Sequence, residues 1–340
     1  MTQAGLRRRE LLGLGLALAI PGIARAAEVT PRIRKLAPGL DRILDPAPPI
    51  ETIATGIQWA EGPVWSKKGD YLLFSDPPAN VIRRWCRKYG LVEFMRPSGL
   101  ANPDPATIRE PGSNGLAIDA KGRLIVADSG SRALVAVDLP GKTRTILADR
   151  YQGKHFNSVN DVHITRSGAI YFTDPPYGLV GGDDSPLKEL PHNGVYRRAP
   201  DGTLALIDAS LTRPNGVALS PDEKRLFVAN SDKETPHIVV YDLDKSGMPT
   251  GRQIWLDCTE MARSGAPGSQ DGMKIAADGT HFNSVPGGMM VLTPDAEPLG
   301  LIETGAPIAN CAFGEDGRTL FLTANDRILR LRMKINGWRA

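Results

Sequence analysis

Apolar residues along the chain alternate with polar ones in short runs bounded by Gly, Pro, Asn and Asp, a period-two pattern that predicts many short strands and no long helix. The runs form a repeat. One unit recurs six times: a polar residue usually followed by Gly, alternating apolar residues, a turn, then an apolar strand ending in Asp or Asn. The units start at Glu61, Asn114, Asn160, Asn215, Asp271 and Asn310, on average about 50 residues apart, which is the length of a four-stranded propeller blade. Their second strands end at Asp76, Asp128, Asp174, Asn230 and Asn325; the fifth unit lacks this ending. Turns between the two strands carry Gly69, Gly122, Gly168, Gly279 and Gly317, with Pro221-Asp222 in the remaining unit.

The last unit has space for three strands before Ala340, so a fourth must come from elsewhere. The run Ile50 to Thr55 is expected to pair with it, closing the ring and removing an open edge. The expected fold is therefore all-β, a six-bladed β-propeller over residues 50–335 with an N-terminal strand closing the last blade. Residues 27–49 form a lead-in and 336–340 a tail. In a propeller the first strand of each blade lines the axis, so the six starting residues converge at one mouth. The second strand returns to the same face, where residues 96–113, 175–192 and 257–270 are expected to wall the mouth. The segment 175–192 is long for a hairpin connection and reads as a lid or specificity loop.

Composition sharpens this picture. Gly (36) and Pro (28) make up about 19% of 340 residues, against roughly 12% for an average globular chain. The excess falls at the turns and, at Gly62, Gly115, Gly216 and Gly272, directly beside the polar ring. Residues 1–26 stand apart: Arg8-Arg9 with Leu11-Leu12, an apolar run to Ile20, and Ala24-Arg25-Ala26 read as a twin-arginine export signal cleaved near Ala26. Its apolar run is too short to span a bilayer, so the expected destination is the periplasm. The twin-arginine export machinery is the transit partner, and no membrane association is expected after cleavage. The formal charge of +3 belongs to this leader, whose four Arg and one Glu leave a neutral remainder. Basic residues form no run, which argues against a nucleic-acid partner. Cys86, Cys258 and Cys311 show no Cys-x-x-Cys spacing and are expected to be buried single thiols rather than a disulfide framework.

Two carboxylates and several amide oxygens at one axial mouth make a hard-oxygen site suited to Ca²⁺, Mn²⁺ or Mg²⁺, and less to Zn²⁺ in the absence of His or Cys. About four protein oxygens leave coordination positions for water and substrate, the arrangement of a metal-assisted hydrolase. The chain lacks the Gly-x-Ser-x-Gly elbow of α/β serine hydrolases and the phosphate-binding Gly-x-x-x-x-Gly-Lys loop.

Five stretches carry a family resemblance: Trp59 to Trp65 (WAEGPVW), Phe156 to Val162 (FNSVNDV), Tyr171 to Gly178 (YFTDPPYG), Arg213 to Val217 (RPNGV) and Asp271 to Lys274 (DGMK). In order and spacing they resemble the SMP-30/gluconolactonase/LRE-like family, especially its bacterial gluconolactonases, over about residues 50–335. The resemblance implies a six-bladed propeller that hydrolyses a sugar lactone with one divalent cation, Ca²⁺ by preference and Zn²⁺, Mn²⁺ or Mg²⁺ as alternatives. It implies Glu61, Asn160, Asn215 and Asp271 as metal ligands, Asp271 doubling as general base, and Asn114 near the substrate. Tyr177 and His192, from the long loop, are further candidates for substrate binding. The fifth unit departs from the family pattern after Gly279, which bears on the pocket wall and the substrate. Another ester or organophosphate hydrolase, or a non-catalytic propeller binding a sugar or a protein, remains an alternative on this fold.

Overall fold

The computed structural model describes residues 30–338. The expected export peptide lies outside the described residues. Six antiparallel sheets follow one another along the chain as the blades of a propeller. Their innermost strands are Glu61–Ser66, Ser113–Ile118, Val162–Ile164, Pro214–Leu219, Met273–Ile275 and Asn310–Gly314. Second and third strands are apolar on both faces because each blade is sandwiched between two others: Leu124–Asp128 and Ala133–Val137 are buried throughout. The fourth strands face solvent and return to alternation, as in Arg144–Ala148. Aromatic residues fill the wedges between blades. Phe156, Phe172 and Tyr196 pack with centroids 5.1–5.3 Å apart against blade 3, and Trp65 of blade 1 stacks on Phe321 of blade 6 at 5.4 Å.

The ring closes as the spacing predicted. Glu51–Thr55 lies antiparallel to Arg327–Arg332 as the outer strand of blade 6, and Arg330 donates to Glu51 across that pairing at 2.6 and 2.9 Å. The lead-in does more than connect. Arg32–Lys35 adds a fifth strand to blade 5 beside Pro298–Glu303, with Arg32 and Arg34 paired to Glu303, and the following 3-10 turn buries Leu40. His281–Val285 is a regular second strand in blade 5 despite its missing acidic ending. The wall segment 257–270 contains a short helix, Thr259–Arg263. All three cysteines are free, with Cys258 and Cys311 buried.

The strand starts carry the geometry that matters most. In blades 1, 2 and 4 the pairing of the first two strands shifts register between Glu61 and Val64, Ser113 and Leu116, and Pro214 and Val217. Such bulges re-aim a side chain, here the polar residue that begins each unit. Neighbouring inner strands also touch directly: Gly115 N–H donates to Asn160 O at 2.7 Å, and Gly272 N–H to Ala309 O at 2.6 Å. A Cβ at Gly216 would fall 2.2 Å from the Asp271 carbonyl oxygen, and one at Gly62, where φ is +46°, 2.0 Å from that of Asn114. Gly216→Ala is therefore expected to lower the unfolding free energy by about 1–3 kcal/mol, measured by denaturant unfolding; an unchanged midpoint would mean the inner strands have space to separate.

Candidate active site

Glu61, Asn114, Asn160 and Asn215 are all buried at the axial mouth, and Asp271 is half-buried there. Glu61 is held by its own strand: its carboxylate accepts the Gly62 N–H at 3.0 Å and the Trp59 indole N–H at 3.5 Å. Burial nevertheless pushes its carboxyl up to about 8, the nearby charges of Asp161 and Glu110 adding to the effect. Asp271 is likewise held well above the usual carboxylate range, first by burial, then by the charges of Glu61 and Asp161; the Asn215 amide pulls the other way. Asn215 is oriented in turn by Ser231, whose hydroxyl accepts from its Nδ2 at 3.0 Å and donates to the Gln270 carbonyl.

Among the described residues no protein group hydrogen-bonds the side-chain amides of Asn114 or Asn160, although both are buried. Buried amides are ordinarily satisfied, so these two are available to something that is not protein. The fit to a divalent cation follows. Glu61 and Asp271 are like charges forced together, and the amide oxygens of Asn160 and Asn215 complete a hard-oxygen donor set. No cluster of three or more His, Cys, Asp and Glu able to hold an ion occurs among the described residues, and a cation at this mouth would need amide oxygens beside the two carboxylates.

The structure also brings in residues that the repeat left unmarked. Asp161 occupies the position that is Gly in four other units. Its carboxylate accepts the N–H groups of Val162 at 2.9 Å and Val217 at 3.2 Å, tying blade 3 to blade 4. Lys274 lies on the inner strand that follows Asp271, and its Nζ donates to Asn310 Oδ1 at 3.2 Å and to the Met273 carbonyl at 3.0 Å. Burial raises the Asp161 carboxyl, while the Lys274 charge and the Asn310 amide favour its ionised form. Asn310 is thereby engaged below the mouth instead of facing it. Both unmarked residues had a signal in the sequence: an acid replacing the repeat's glycine, and a lysine inside an otherwise apolar inner strand.

Of the two loop candidates, one reaches the site. Tyr177 lies against Ser231, Asn215 and Asp271, and burial pushes its phenol up to about 12. His192 is turned away: its Nε2 pairs with the Tyr196 hydroxyl at 2.9 Å and its carbonyl accepts from Asn157 and Lys188. It packs the outer part of blade 3 and is corrected here to a structural position. The long loop instead braces its neighbour, since Gly178 O accepts the N–H groups of Arg109 and Glu110 and Ile108 bridges to Leu179. A cavity of about 390 Å³ lined by Gln58, Trp59, Pro78, Arg109 and Glu110 opens beside Glu61.

The model of the SMP-30/Gluconolactonase/LRE-like region matches residues 59–326, which takes in every blade. The chain belongs to this family. A family member named gluconolactonase from Zymomonas mobilis subsp. mobilis is 47% identical, the match covering 99% of this chain and 100% of that one. The solved structure of a gluconolactonase from Xanthomonas campestris superposes with a TM-score of 0.76 at 28% identity, over 92% of this chain and 99% of that one. Regucalcin from Agrobacterium tumefaciens, described as a calcium-binding protein, shares the fold at a TM-score of 0.66 and 18% identity, over 85% and 95% of the two chains.

The paired acids give a pH signature to the family's site in this chain. A carboxyl whose native pKa exceeds its unfolded value binds more protons in the native state between the two values, so stability falls as pH rises through that window. Cation-free protein is expected to lose thermal stability from about pH 4.5 to about pH 8, the ordinary and native values for Glu61. Added Ca²⁺ should flatten that slope. Melting curves with and without chelator test this, and a chelated protein that gains stability over the window would contradict it.

Proposed function

We propose that the protein hydrolyses a sugar lactone of the glucono-1,5-lactone type to its aldonic acid, using a divalent cation at the axial mouth. The observation that carries this reading is the meeting of Glu61 and Asp271, two carboxylates held above their ordinary pKa by burial, with the Glu61 charge raising Asp271 further, beside unpaired amides. The full-length likeness to a gluconolactonase supports the choice of substrate class. Glu61, Asn160, Asn215 and Asp271 would hold the ion, with Ca²⁺ favoured by the all-oxygen donor set. When bound, the cation supplies Lewis acidity, offsetting the negative charge that grows on the lactone carbonyl oxygen.

The chain's own residues do the rest. Asp271, aimed by the Asn215 amide, takes a proton from the water that attacks the carbonyl carbon. As the ring C–O bond breaks, the same proton is returned to the leaving ring oxygen, and the product is a hydroxy acid. Glu61, fixed by Trp59 and Gly62, keeps its charge where the cation is needed. Tyr177 and Asn114 face the space the substrate would fill. The leader pattern at residues 1–26 supports action in the periplasm after twin-arginine export.

Asp271→Asn keeps the shape and the Asn215 contact but removes the base, so kcat should fall at least about 100-fold with little change in melting temperature. Proton release from glucono-1,5-lactone measures this, and near-normal turnover would overturn the assignment. Wild-type activity should vanish on chelation and return with Ca²⁺. A chelator-insensitive enzyme would remove the cation from the mechanism, and preference for aryl esters over lactones would favour the alternative hydrolase.

A further inference from the structure

The cavity beside Glu61 has a composition of its own. Trp59 and Pro78 give it apolar lining, and Gln58, Arg109 and Glu110 give it polar lining. A cyclic polyol presents the same division, with C–H groups on its faces and hydroxyls at its rim. We propose that this cavity is the subsite that reads the hydroxyl groups of the lactone ring, and that Glu110 is its specificity-determining residue, accepting hydrogen bonds from those hydroxyls. The inference rests on lactone hydrolysis at the neighbouring carboxylate pair.

Glu110 lies close enough for its charge to act on both Glu61 and Asp271. It lines the same cavity as Trp59, whose indole bonds Glu61, so a ring lodged there would lie beside that carboxylate. Its position is set in advance. The N–H groups of Arg109 and Glu110 donate to Gly178 O at 2.8 and 3.3 Å, and Val180 N–H donates to Thr107 O at 2.9 Å, so two loops hold this wall together. The Trp59 indole, which lines the same cavity, is directed by its contact with Glu61 at 3.5 Å.

The carboxylate is also available. The ion pair it makes, with Arg109 at 3.3 Å, involves a guanidinium side chain that is 55% exposed, and such a pair yields readily to a competing donor. Burial raises the Glu110 carboxyl and the Arg109 charge works against that shift; in either form a carboxyl oxygen accepts from a hydroxyl, which suits a site that must tell a hydroxylated ring from a bare one.

The experiment compares glucono-1,5-lactone with δ-valerolactone, which has the same ring without hydroxyls, by proton release after subtraction of the spontaneous rates. For Glu110→Gln, the ratio of kcat/KM for the hydroxylated to the bare lactone should fall about tenfold or more, mainly through KM. An unchanged ratio overturns the subsite. So does a parallel loss of kcat on both lactones, which is what removal of a base would give. If Glu110→Gln fails to melt cooperatively, Gln58→Ala, on the exposed side of the same cavity, should move the ratio in the same direction by a smaller factor. A wild-type protein inactive on both lactones overturns lactone hydrolysis and this inference together, whereas an active one with an unmoved ratio overturns the subsite alone.

Discussion

The crowding of inner strands around the axis governs the rest of the structure. Backbone approaches such as Gly115 N–H to Asn160 O at 2.7 Å leave no volume for a side chain at the second position of most units. The residue before that position is aimed by bulges toward the mouth, where the only space remains. A backbone constraint thus determines where polar atoms can accumulate. Strands built for close packing bring the first side chains of five blades to one place, the sixth, Asn310, being engaged below it by Lys274.

Convergence of this kind carries an electrostatic cost. Glu61, Asp161 and Asp271 sit within one another's fields in a region shielded from water, and each is pushed toward its neutral form. The fold answers part of this with Lys274, which reaches the same layer through Asn310 and steadies the charge on Asp161. Among the described residues no cationic side chain offsets Glu61 or Asp271 in the same way. A site arranged in this way is least comfortable when empty and gains most from a mobile positive charge, which is how affinity for a divalent ion can be built from residues that individually resist ionisation.

Much of the architecture was legible in the chain because it repeats. Polar starts in phase, strand endings at constant offset and a missing fourth strand in the last unit together specify six blades and their closure by residues 51–55. What escaped was whatever broke the repeat or lay outside it. Arg32–Lys35 offers one apolar residue among three cations, and its partners, the strand ending in Glu303 and the acid itself, are distant in sequence and announced by no local pattern. Asp161 and Lys274 read as ordinary variants until the neighbouring blades are in place. His192 was drawn in by its position beside a long loop, yet a histidine at a loop end can as well turn back onto its own blade, and here Tyr196 captures it.

The acids themselves separate into two classes by what answers them. Those ending the second strands are consumed by the fold. Asp76 accepts the N–H groups of Gln58 and Trp59 and pairs with Arg83, and Asp128 accepts from Ser131 and pairs with Arg144. Asp174 accepts the Asn157 N–H, and Asn230 in the fourth blade accepts that of Arg213. Asp76, Asp174 and Asn230 hold the segment that leads into an inner strand, whereas Asp128 holds the turn into the third strand of its blade. On the opposite face Glu315 is similarly paired, with Arg87 and Arg330. Against that background an acid that no basic side chain among the described residues meets is conspicuous, and Glu61 and Asp271 are two such acids, near enough for the charge of the first to raise the second. Recurrence alone would have ranked Asp76 and Asp128 beside them; the distinction between structural and chemical acids comes from following each carboxylate to its partner.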